Sequence, residues 1–164
     1  MNMMKRVVLA WKHIKQRNGY EGRLILLSLY LERIARIKFP FKILKVFIQR
    51  HYLCDISPYS FYNEEAIETC RLPHPFLIII NSATLIGKNS TIYHNVTIGN
   101  REGHRENMEC RSEHEGAVLG DNVYIGCGST LLGSIKIGDN VRIGAMSLVL
   151  SDVPQNTTVV GICK

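Results

Sequence analysis

From Ile80 onward, an apolar residue returns at every sixth position. Ile80, Ile86, Ile92 and Ile98 keep this spacing; after an interruption so do Leu119, Ile125, Leu131, Ile137, Ile143 and Val149. Glycine often follows the anchor, as at Gly87, Gly120, Gly126 and Gly138, and the residue four after it is small or branched (Thr84, Ser90, Val96, Val123, Ser129, Ile135, Val141, Ser147, Val153). A helix would repeat near 3.6 and an ordinary half-buried strand at two. An open β-sandwich would space its short strands irregularly. A period of six is that of a parallel β-helix, in which three short strands complete one coil and neighbouring coils share a core. Anchors and small residues point into a narrow prism, and Lys88-Asn89, Asp121-Asn122 and Asp139-Asn140 suit its corners.

The pattern before Ile80 differs. Residues 1–53 carry apolar runs such as Leu24-Ile25-Leu26-Leu27, interleaved with basic residues, and predict helices at about 4–17, 20–37 and 40–52. This segment holds twelve Lys or Arg against Glu21 and Glu32, a balance of +10; the whole chain is +6. No run approaches the ~20 apolar residues needed to cross a bilayer. Basic amphipathic helices either pack on the β-helix with their charges solvated or lie on an anionic membrane surface. No nucleic-acid motif accompanies the charge. The sequence therefore divides into a helical segment, 1–53, and a β-helix, 54–164, interrupted by a charged excursion at 100–118.

The chain of 164 residues should bury roughly 70% of its unfolded surface. Five cysteines without a CxxC pair, and no stretch that reads as a signal peptide, predict reduced thiols and a cytoplasmic location. The six His are scattered, and no metal site is expected.

The runs Cys54-Asp55-Ile56-Ser57-Pro58, Leu72-Pro73-His74-Pro75 and Thr91-Ile92-Tyr93-His94-Asn95-Val96-Thr97-Ile98-Gly99 closely resemble the serine acetyltransferase branch of the hexapeptide acyltransferases. So do Ile125-Gly126-Cys127-Gly128-Ser129, Ile143-Gly144-Ala145-Met146-Ser147 and the stretch from Asp152 to Gly161. The resemblance covers about residues 54–162. It implies a left-handed β-helix, a homotrimer with active sites between subunits, and acetyl-CoA as donor. His74 matches the family's catalytic His. A neutral imidazole is suited to take the proton of an acceptor hydroxyl, and such assistance contributes 10²–10⁴-fold. Asp55 matches the acid that orients that ring. Whether the two meet across the irregular residues 59–71 is not fixed by the count.

The resemblance further assigns donor binding to Gly126, Cys127, Gly128, Arg142, Ala145, Met146, Ser147 and Thr158, with Arg142 toward a phosphate of coenzyme A. Cys127 reads as a small corner residue, not a nucleophile. On the acceptor side stand Pro73, His94, His104 and His114; His94 is also a rival base, or a plain surface His. Three departures weaken free L-serine: Pro73 replaces the Asp common before the catalytic His, the excursion lacks Arg-His-Pro, and the helical segment is short. Leu-Pro-His-Pro resembles relatives that acetylate sugars for capsule or exopolysaccharide. A saccharide is therefore the expected acceptor, L-serine the runner-up, and a non-catalytic trimeric scaffold the alternative of another class. A basic helical segment would hold such an enzyme at the inner face of the membrane. Relatives continue past Lys164 into a capping tail, so a final coil left open or closed by the neighbouring subunit is expected.

Overall fold

The computed structural model describes residues 3–35, 39–100 and 116–164. The hexads fold as their spacing predicts, into a left-handed parallel β-helix. Its first face stacks the strands 55–56, 79–80, 97–99, 130–132, 148–149 and 162–163. The second stacks 85–86, 118–119 and 136–137, and the third stacks 91–92, 124–125, 142–143 and 158–159. Every pairing is parallel; Ile80 lies beside Ile98, one coil of eighteen residues later. All ten anchors are buried, and so are the nine residues four places after them.

One corner shows why Asn follows Asp or Lys. Asn89, Asn122, Asn140 and Asn156 all hold φ between 56° and 60°, a left-handed conformation that Asn tolerates better than most residues. Their amides form a ladder, Asn122 Nδ2 donating to Asn140 Oδ1 at 3.1 Å and Asn140 Nδ2 to Asn156 Oδ1 at 2.9 Å.

The last coil departs from the expected register. Val153 was expected at the small inward position, but it bridges to Ile137 and joins the anchor row, with Val159 next to Ile143 below. Asp152 makes the shortened step workable by accepting the Lys136 N–H at 2.8 Å. The excursion leaves the first face after Gly99: Ile98 and Leu131 are strand partners although thirty-three residues apart, fifteen more than a regular coil. Residues 101–115 lie outside the described residues. The chain rejoins the prism at Gly116, where a Cβ would collide with the Ala83 carbonyl.

Helices α1 (Met3–Arg17), α2 (Tyr20–Ile34) and α3 (Phe39–Tyr52) match the expected ones. The exception is the end of α2, which stops at Ile34 because Ala35 is already extended. They pack over the first coil, so that Ile14, Ile25, Leu29 and Tyr30 share one core with Ile56, Phe61 and Leu72. The first coil is irregular because residues 58–60 form a 3₁₀ turn and α4 (Glu64–Thr69) is inserted before the third face. Asn63 starts α4 by accepting the Ala66 N–H at 2.9 Å.

Candidate active site

The corner between the third and first faces carries His74, His94, Gly126, Cys127, Gly128, Ala145 and Met146 of the residues singled out from sequence. Each coil turns there on a residue with positive φ: Leu77 (56°), Asn95 (56°), Gly128 (71°), Met146 (57°) and Gly161 (82°). Backbone bonds lock these turns in register. Asn95 N donates to Phe76 O at 2.8 Å, Gly128 N to His94 O at 3.1 Å and Met146 N to Cys127 O at 2.9 Å. The result is a column in which Phe76, His94, Cys127 and Ala145 stack along one edge of the prism.

His74 stands at the head of this column, exposed and with φ of 53°. A left-handed backbone is uncommon for any residue with a side chain, and Pro75 restricts its predecessor further. The turn is held from both sides: Phe76 N donates to His74 O at 2.8 Å, and the Cys54 thiol to Pro75 O at 2.9 Å. Strained, over-determined positions of this kind cost about 1–3 kcal/mol and cluster at functional sites. Pro73 is half-buried directly before it.

Asp55 lies on the first strand as the partner of Ile79, with its side chain outward. Its carboxylate and the His74 ring form no hydrogen bond within this single chain, among the described residues. Asp55 instead borders a shallow open pocket of about 340 Å³, together with Ser57, Asn81, Ser82 and Thr97. Gly99, where the excursion departs, closes one side. Apart from Asp55 the polar lining is neutral, of hydroxyls and one amide.

The expected donor positions divide. Gly126 lies flat against Ala145, where a Cβ would strike the Ala145 N–H; Cys127 is half-buried beside it. Met146 is exposed and its thioether lies over Gly128. Arg142 and Thr158 are strand partners facing outward on the third face. Ser147 points into the prism, as its place four residues after Ile143 predicts; its Oγ accepts the Gly161 N–H at 3.2 Å, so it braces the corner and offers a groove only its backbone. His94 is exposed on the column, two coils above Ala145. His104 and His114 lie outside the described residues.

Sequence reasoning missed two aromatic residues. Tyr93 and Tyr124 pair with ring centroids 5.5 Å apart, and the Arg142 guanidinium stacks on Tyr124 at 4.6 Å. Burial and the neighbouring Tyr93 push the Tyr124 phenol above its usual range, with Arg142 opposing. Their signal was their place immediately after Ile92 and immediately before Ile125, positions that face outward on the third face. Among the described residues no three His, Cys, Asp or Glu converge as metal ligands would.

Residues 116–151 match the family model for the bacterial transferase hexapeptide (six repeats). Over 90 residues the chain is 44% identical to serine acetyltransferase 3, mitochondrial, of Arabidopsis thaliana, covering 55% of this chain and 21% of that one. Over 91 residues it is 45% identical to a serine acetyltransferase of Staphylococcus epidermidis, covering 56% and 39%. The chain thus spans well under half the length of these curated relatives. Among solved structures it superposes on Neisseria gonorrhoeae serine acetyltransferase in complex with serine, with a TM-score of 0.69 and 27% identity over 96% of this chain and 66% of that one. Serine acetyltransferase from Brucella abortus in complex with coenzyme A shares the fold, with a TM-score of 0.67 at 23% identity over 94% and 63%.

Proposed function

We propose that this protein is an acetyl-CoA-dependent O-acetyltransferase with His74 as general base. The observation that carries the reading is the backbone of His74, held left-handed between two prolines at the head of the corner column. The likeness to serine acetyltransferases, one of them solved with coenzyme A, supports the donor. The imidazole takes the proton of the acceptor hydroxyl as its oxygen attacks the thioester carbonyl. Backbone N–H groups stabilise the tetrahedral oxyanion, and coenzyme A leaves as the thiol with that proton. Asp55 supports the imidazolium once subunits and substrates assemble the site, since hydrogen bonds of catalytic groups are often loose before substrate binds.

The pantetheine arm runs along Gly126, Cys127, Gly128 and Ala145, the corner positions that the resemblance assigns to the donor. Arg142 on its tyrosine platform takes a phosphate. The groove is one-sided in a single chain, and a homotrimer supplies its other wall. The enzyme works in the cytoplasm, where thiols stay reduced.

For the acceptor, the comparisons support L-serine, because the relatives are serine acetyltransferases and one is solved with serine bound. A second reading, a saccharide hydroxyl, draws on Pro73 in place of an acid and on the neutral lining of Ser57, Asn81, Ser82 and Thr97; the relatives lend it nothing. Coenzyme A release from acetyl-CoA, with L-serine and with a panel of free and lipid-linked saccharides, separates them. Turnover with L-serine supports the first. Turnover with saccharides alone replaces it by the second, and none with any acceptor overturns the enzymatic reading in favour of a scaffold.

A further inference from the structure

The basic residues of the helical segment are sorted by direction. Those of α1 that face the body find partners: Arg6 pairs with Glu64 at 3.5 Å, His13 with Glu68 at 3.1 Å, and Arg17 donates to Asn89 Oδ1 at 2.8 Å. Glu65 is taken by Lys88 at 2.8 Å, and Glu32 is buried against Lys45 at 3.0 Å. Lys5, Lys12 and Lys15, on the outward side of α1 among Met4, Val8 and Trp11, form no ion pair among the described residues.

Helix α3 carries the complementary feature. Its inward side is Gln49, Tyr52 and the stem of Lys45; its outward side is Ile43, Leu44, Val46 and Phe47, with Phe47 75% and Ile43 55% exposed. Lys42, Arg50 and His51 flank this apolar stripe, and no acid occurs between Glu32 and Asp55. A row of four large apolar side chains in water is costly, at about 25 cal/mol per Å² left uncovered.

We propose that the outward face of α3 is a membrane-docking surface that inserts Ile43, Leu44, Val46 and Phe47 into the headgroup–acyl boundary of an anionic bilayer. The charge decides between occupants. A second copy presenting the same face would bring Lys42 and Arg50 against their own kind, whereas anionic lipid offers the opposite sign and full burial of the stripe. The unpaired lysines of α1 add attraction that falls off within a Debye length. Docking is peripheral, since no helix among the described residues is long and apolar enough to cross. An interfacial helix of this composition buries its apolar side about 5–10 Å deep.

The test is flotation of the purified full chain with vesicles of phosphatidylcholine alone and of phosphatidylcholine with one quarter phosphatidylglycerol. The protein is expected to float with the anionic vesicles only. Phe47→Asp should lower that binding more than tenfold, and each of Lys5, Lys12 and Lys15 changed to Gln about fivefold at low salt. Circular dichroism checks that Phe47→Asp stays folded, as its exposure predicts; an Ile43→Ser, Leu44→Ser pair repeats the test without added charge. Absence of wild-type binding to anionic vesicles overturns the proposal. So does a drop in oligomer size on Phe47→Asp in sedimentation velocity, which would give the face to a second copy.

Discussion

Asn18 and Leu72 are fifty-four residues apart, yet the Asn18 side chain treats Leu72 as a strand partner. Its Oδ1 accepts the Leu72 N–H at 2.7 Å while its Nδ2 donates to Cys70 O at 2.9 Å. The same device recurs on the other faces. Gln49 Nε2 donates to Ile56 O at 2.7 Å on the first, and Arg33 bonds Pro58 O and Phe61 O at 2.6 and 2.9 Å at the second. Three side chains, one from each face's neighbouring helix or turn, thus close the open strand edges of the first coil. An uncovered edge is a template for aggregation, so the helical segment guards this end by hydrogen bonding as well as by burial.

Replacing Asn18 by Leu keeps volume but leaves Leu72 N–H and Cys70 C=O buried without partners. At about 1–3 kcal/mol for each orphaned group, a loss of about 2–4 kcal/mol is expected from urea unfolding. A loss under about 0.5 kcal/mol would mean that water or a shifted helix takes over the edge.

The column geometry separates the two histidines. His74→Ala should lower kcat by about 100-fold or more as a missing general base, with the far-ultraviolet spectrum unchanged because the ring is exposed and unbonded. His94→Ala should cost under about tenfold, acting through the groove and so chiefly on KM. Asp55→Asn should lower kcat with KM for acetyl-CoA near the wild-type value. A larger kcat loss from His94→Ala than from His74→Ala would reverse the assignment of the base.

Cysteine chemistry follows burial. Burial pushes the Cys70 thiol up to about 12, and the Cys54 thiol also rises. Both should resist iodoacetamide at pH 8, while half-buried Cys127 and Cys163 label before them, as read by peptide mass spectrometry. The sign of the linkage is fixed: an unfolded thiol ionises near 9.0 and folded Cys70 only near 12. Its contribution is whole below pH 9 and is lost progressively between 9 and 12. Cys70→Ala should therefore flatten the fall in melting temperature over that window, whatever it does at pH 7. Labelling of Cys70 as fast as Cys127 would show that the first coil opens.

Much of the β-helix was legible because a six-residue period has one structural meaning, and the burial of every anchor from Ile80 to Val149 follows from it. The last coil was misjudged at Val153 since a valine serves equally as anchor or as small inward residue; only its bridge to Ile137 distinguishes them. The caps left no trace: Asn18, Arg33 and Gln49 are ordinary polar residues in helical sequence, and their partners are remote. The column at the third corner was readable from resemblance, and the inward side of Ser147 from the hexad count alone. Tyr93 and Tyr124 needed the register, which sets Tyr124 beside Thr91 and so brings the ring of Tyr93, two residues along, into contact.

The thioether of Met146 lies over Gly128 at the corner proposed to hold the donor. Gly128 turns at φ of 71°, where a side chain costs about 1 kcal/mol, and a Cβ there would collide with Met146 Sδ. Gly128→Ala should thus cost about 1 kcal/mol, because Met146 is exposed and its flexible thioether swings aside. In a Met146→Ala background the same change should cost about as much, leaving a coupling under roughly 0.5 kcal/mol. If this corner grips the pantetheine arm, Gly128→Ala should also raise KM for acetyl-CoA by about tenfold while KM for the acceptor stays put. The double-mutant cycle, read by urea unfolding and by initial rates on the same four proteins, measures both. A coupling above about 1 kcal/mol would show that Met146 is pinned over Gly128. An unchanged KM would move donor binding off this edge of the prism.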